Sequence, residues 1–127
     1  MEKRNGDLML SEKFIDKTEL LLWIKREVTN YCESHNIPIL PVRYGTIPKN
    51  AKASFVCPPA RILVWERFSE WLEQHSTQYR VWWVHHMLAH ELWHYRQYLF
   101  AKSRGKEITP DIFNEEETYI QGFTQAD

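Results

Sequence analysis

From about Gln78 to Ser103 apolar residues recur nearly all the way round a helix, Val81, Trp82, Val84, Leu88, Leu92, Tyr95 and Leu99 among them. The rest of the chain therefore has to be arranged about one long, mostly buried helix. Histidines set inside such a helix need partners. Within it stands the string His90-Glu91-Leu92-Trp93-His94. Two histidines four apart lie one turn above each other, so both imidazoles can reach one ion. Glu91 follows the first of them and points to the neighbouring side of the helix, where a carboxylate can deprotonate a metal-bound water. His86 and His90 are also four apart, but Met87 follows His86, so only the pair His90 and His94 carries a carboxylate base. The competing reading is an aromatic-rich core helix whose histidines satisfy hydrogen bonds.

A catalytic zinc takes three protein ligands and keeps a fourth position open. No histidine or cysteine follows His94, which leaves a carboxylate from Glu107, Asp111, Glu115, Glu116, Glu117 or Asp127. A helix turning at Gly105 and returning antiparallel, with a rise of about 1.5 Å per residue, brings a position near 115 to 120 back level with the histidines. Glu115 shares a helix face with Thr118 and Gly122, small residues that allow close approach. That face favours Glu115 as the third ligand, with Glu116 and Glu117 as the alternatives.

The 127 residues, 43% of them hydrophobic, suit one domain over 1–127, with residues 1–10 as an N-terminal arm, loose or docked. A net charge of -1 provides no basic field, so no nucleic-acid partner is expected. The first ten residues lack the apolar run of a signal peptide and no stretch has the apolar length of a membrane span. A cytoplasmic location and no membrane partner are expected. Cys32 and Cys57 are not spaced as a metal clip and are expected as buried thiols.

The remaining pattern predicts a mixed α+β fold. A backing helix is expected from Asp16 to Ser34, with Asp16 and Glu19 as a capping box and a stripe of Leu21, Ile24, Val28, Tyr31 and Cys32. It stops at His35-Asn36-Ile37-Pro38. Three short strands follow near 39–44, 52–57 and 61–65, the last two joined by a Pro58-Pro59 turn suited to antiparallel neighbours. A short helix is expected over 66–74, an N-cap at Ser76 or Thr77, a stop at Gly105, and a last helix over 111–123 introduced by Thr109-Pro110. No glycine-rich phosphate loop is present, which removes the usual loop-based nucleotide sites.

With these elements in order, the chain resembles a gluzincin zinc metallopeptidase. The motifs are His90-Glu91-Leu92-Trp93-His94 and a glutamate helix opening Glu115-Glu116-Glu117-Thr118. The brevity of the chain is most similar to the single-domain minigluzincins. The resemblance implies a zincin-like domain and one catalytic Zn²⁺ held by His90, His94 and Glu115, with Glu91 as general base. The implied activity is endopeptidase cleavage of peptide or unfolded protein substrates. It further implies that the segment Asn50 to Val56 is an edge strand beside the cleft, where backbone groups of Ala53 and Phe55 pair with an extended peptide. It also implies latency, with a terminal segment occupying the cleft as in a zymogen. Thermolysin-like members have an aspartate supporting a zinc ligand where this chain has Tyr119, and a following lobe that supplies a His or Tyr for the oxyanion. The alternative is accordingly a non-catalytic zinc-binding interaction or regulatory module of the same fold.

Overall fold

The structure, a computed structural model, describes residues 9–47 and 50–113. Among them are three α-helices, a three-stranded sheet and one 3₁₀ turn, a mixed α+β arrangement. They fall into two compact units divided between Trp83 and Val84. None of the described helices is long and apolar enough to cross a membrane.

In the first unit, helix α1 spans Lys17–Ser34. Its start is fixed by Asp16, whose extended backbone leaves Oδ1 accepting from the Glu19 N–H at 2.9 Å. It ends with Asn36 in the left-handed region at φ 55°. There the Ile37 N–H reaches back to the Cys32 carbonyl and the Asn36 N–H to that of Glu33, which closes the helix with a Schellman pair. The buried face is Leu20, Trp23, Ile24, Val28 and Cys32. The expected stripe is thus correct at three positions and shifted at its start, because Leu21 is only half-buried and Leu20 and Trp23 take the core side.

Helix α1 packs on strand β1, Val42–Tyr44, at one edge of the sheet. The central strand is β3, Arg61–Val64, flanked by β1 in parallel and by β2, Ala53–Val56, in antiparallel register. Ile62 and Val64 point into the core with no exposed area, and the intervening Leu63 is half-buried, as the two-residue period of a strand requires. The β2–β3 turn contains the Pro58-Pro59 pair, with both proline peptide bonds cis. The short helix expected over 66–74 is α2, Phe68–Glu73, with Phe68 and Leu72 wholly buried. Burial pushes the thiols of both cysteines up. Cys32 is buried as expected, whereas Cys57 is half-buried.

The arm was expected to be loose or docked, and its last two residues are docked. Met9 and Leu10 are buried, and the backbone that follows is tied down from the far end of the unit. Arg80 donates through Nη1 to the carbonyls of Leu10 and Glu12 at 2.7 and 2.8 Å, while the Ile15 N–H donates to Glu73 Oε2 at 2.7 Å.

Helix α3, Thr77–Ser103, begins after Ser76, whose Oγ accepts from the Tyr79 N–H at 3.3 Å, and continues into the second unit. Val84, Met87, Leu88, Ala89, Leu92, Tyr95 and Ala101 are buried on it, but Trp82 and Phe100 are exposed, so it is less completely covered than its apolar pattern predicts. Gly105 ends it at φ 68°, with the Lys106 N–H bonded to the Ala101 carbonyl and the Gly105 N–H to that of Lys102. A Cβ at Gly105 would meet nothing within 4 Å, so a side chain there meets only the strain of the left-handed backbone. Gly105→Ala is therefore expected to lower stability by about 1 kcal/mol, read as a lower urea midpoint with unchanged slope.

Beyond the turn, Thr109 takes the N-cap position and Pro110 opens a single 3₁₀ turn, Pro110–Ile112. Phe113 then leaves helical geometry at φ −96° and ψ 89°. The expected α-helix from Asp111 accordingly does not begin at its predicted residue, and positions 114–123 of it lie outside the described residues.

Candidate metal centre

The two histidines of the motif fall on one face of α3 because four residues make slightly more than one turn. Their ring centres are 4.8 Å apart, with the planes nearly perpendicular at 88°. Glu91 occupies the adjoining face, its Oε2 3.8 Å from His90 Nε2. That separation is too long for a hydrogen bond and short enough for the charge to be felt. Both Glu91 and His94 are 8% exposed, while His90 is half-buried. A carboxylate in this setting is held away from bulk water, beside groups that can move or bind positive charge.

His94 is fixed from two directions. Its Nδ1 lies 3.0 Å from Gln97 Oε1, and its ring meets that of Phe113 edge to face, with centres 5.4 Å apart at 88°. Gln97 is three residues further along the same helix, the spacing at which neighbours on one face meet. Phe113 comes from the segment after the Gly105 turn. Gln97 also lines a recess of about 700 Å³, together with Trp93, Arg96, Phe100 and Ile112.

Of the residues expected at the site, His90, Glu91 and His94 are brought together. Ala53 and Phe55 belong to β2 in the first unit. Glu115, with its alternatives Glu116 and Glu117, lies outside the described residues. Among the described residues no three of His, Cys, Asp and Glu gather as a metal-binding group. The donor chemistry present, two imidazoles one turn apart on a rigid helix, is of the kind zinc takes, with one more ligand required. The motif therefore fits zinc as far as its described donors go.

Ala53 and Phe55 have a definite backbone placement of their own. Among the described strands β2 pairs with β3 alone. The Trp65 N–H donates to the Lys52 carbonyl at 2.9 Å, and the register continues with Ala53 opposite Val64 and Phe55 opposite Ile62. Hydrogen-bonded and non-hydrogen-bonded pairs alternate along an antiparallel ladder. Lys52 thus faces β3, and the N–H and C=O groups of Ala53 and Phe55 point away from β3, where the Phe55 carbonyl accepts from Ser54 Oγ at 3.4 Å.

The sequence reading did not single out Gln97 or Phe113. The i, i+3 spacing from His94 was a signal for Gln97, whereas nothing local marks Phe113. No protein-family model, curated protein or solved structure matches the chain.

Proposed function

We propose that this chain is a zinc metallopeptidase of the gluzincin type, built on a zincin-like domain and acting on peptides or unfolded protein segments. The observation that carries the proposal is the placement of His90 and His94 side by side on α3 with the carboxylate of Glu91 buried next to them. His90 and His94 would hold the zinc, with Glu115 as the third ligand. Zinc bound there supplies Lewis acidity toward a carbonyl oxygen and lowers the pKa of water.

The protein's own part is proton transfer and substrate placement. Glu91 accepts a proton from the water that attacks the scissile carbonyl carbon. As the C–N bond breaks, it returns that proton to the departing amine nitrogen. By the gluzincin resemblance, backbone groups of Ala53 and Phe55 would pair with an extended peptide, a contact tolerant of the peptide's side chains because it is made to main chain.

Zinc content after dialysis against a mild chelator, measured alongside casein cleavage, tests the proposal. Wild type is expected to retain about one zinc per chain and to cleave. Glu115→Ala is expected to lose the metal, whereas Glu116→Ala and Glu117→Ala retain it and stay within about 0.5 kcal/mol of wild type. Zinc without cleavage would favour the non-catalytic module, and absence of both would sink the reading. Loss of zinc from a neighbour instead of Glu115→Ala would move the third ligand to that neighbour.

A further inference from the structure

We infer that Gln97 is a positioning residue that sets the tautomer of His94, so that Nε2 is the nitrogen offered to a metal. The inference deepens the zinc reading above and rests on it for its metal-affinity component, while the tautomer itself stands on the geometry alone. A side-chain carbonyl oxygen can only accept a hydrogen bond, so the approach of Gln97 Oε1 to within 3.0 Å of Nδ1 requires the hydrogen on Nδ1. In the neutral ring the lone pair then belongs to Nε2. A neutral histidine in water favours the opposite tautomer, with the hydrogen on Nε2, so the protein holds His94 in the form that has to be imposed.

Three features make Gln97 suited to this task. It is on the same helix as His94, so the two backbones are fixed with respect to each other. The Phe113 ring stands against the His94 ring at right angles, which restrains the imidazole in the orientation that meets the amide. An acceptor on Nδ1–H also raises the basicity of the opposite nitrogen and removes the cost of ordering the ring when a metal arrives. Gln97 borders the recess, so an isosteric or slightly smaller side chain at this position meets no tightly packed surroundings.

The test uses the full chain and two variants, Gln97→Leu and Gln97→Glu. Long-range proton–nitrogen correlations on ¹⁵N-labelled, metal-free protein, recorded where the ring is neutral, report which nitrogen of His94 carries the hydrogen. Competition with a chromophoric chelator reports zinc affinity. Wild type is expected to show the Nδ1–H form. Gln97→Leu is expected to revert to Nε2–H and to bind zinc about 10- to 100-fold more weakly. Gln97→Glu, which restores an acceptor oxygen, is expected to recover both. An Nε2–H ring in wild type, or a leucine variant with unchanged tautomer and affinity, overturns the inference. Wild type that shows Nδ1–H but binds no zinc refutes the metal reading separately and leaves the tautomer assignment standing.

Discussion

Glu91→Gln is expected to keep the fold and its zinc while peptide hydrolysis falls by about 10²- to 10⁴-fold. The amide occupies the same volume as the carboxylate, so the buried position of Glu91 is neither emptied nor overfilled. What it loses is the capacity to take a proton from water at neutral pH. Zinc should be retained because the proposed ligands are His90, His94 and Glu115, and Glu91 is only the neighbour of the first. His94→Ala should do the reverse and lose metal together with some stability, since metal binding is coupled to folding. Measuring zinc content, thermal midpoint and casein cleavage on the two variants separates the roles. Undiminished cleavage by Glu91→Gln would remove this residue from the mechanism.

The contrast between those variants depends on features that are local in sequence, and such features were the legible ones. The motif is five residues long and its geometry follows from the helical repeat. The caps are equally local: Asp16, Ser76, Asn36 and Gly105 each act within four residues of their own position. The start of the α1 stripe, and not its later positions, was misplaced for a related reason. The run Leu20-Leu21-Leu22 offers an apolar side chain on three faces in succession, and only packing decides that Leu20 is buried while Leu22 remains 55% exposed.

Non-local pairing was not legible. The antiparallel β2–β3 pair follows from the Pro58-Pro59 turn as expected, but the parallel pairing of β1 with β3, which makes β3 central, depends on strand edges that meet across the whole of the intervening β2 segment. Phe113 reaches His94 only because the chain turns at Gly105, and no pattern near Phe113 announces it. The signal for Gln97 was available at i+3 from His94. The five-residue string itself holds only ligands and base, and the residue that holds its second ring lies beyond it. The described start of the expected helix over 111–123 illustrates the opposite case. Thr109 and Pro110 are a helix-start signal and do start one, yet Phe113 turns away after a single 3₁₀ turn.

Arg80→Met is expected to be among the most destabilising single changes in the first unit, at about 3 kcal/mol. Arg80 is 6% exposed and spends its guanidinium on four backbone carbonyls. Nη1 serves Leu10 and Glu12, Nε serves His75 at 2.8 Å, and Nη2 serves Glu73 at 3.1 Å. Two of those carbonyls belong to the segment leading into α1 and two to the end of α2 and the turn after it, so one side chain closes the unit across some seventy residues of sequence. Methionine preserves much of the apolar stem but donates nothing, leaving the buried Leu10 carbonyl unsatisfied and the three part-buried carbonyls to water alone. The partners lie far away in sequence, and nothing next to Arg80 in the chain marks its role. Arg67 provides the control, because its bond to Glu70 at 2.8 Å joins side chains 73% and 59% exposed and is screened by solvent. Arg67→Ala should stay within about 0.5 kcal/mol of wild type by urea unfolding in the same buffer. A domain of ordinary stability, about 5–15 kcal/mol, remains folded after losing 3, so both variants are measurable. An Arg80→Met variant no less stable than Arg67→Ala would show that the four carbonyls find other partners and that the N-terminal segment is not held by this side chain.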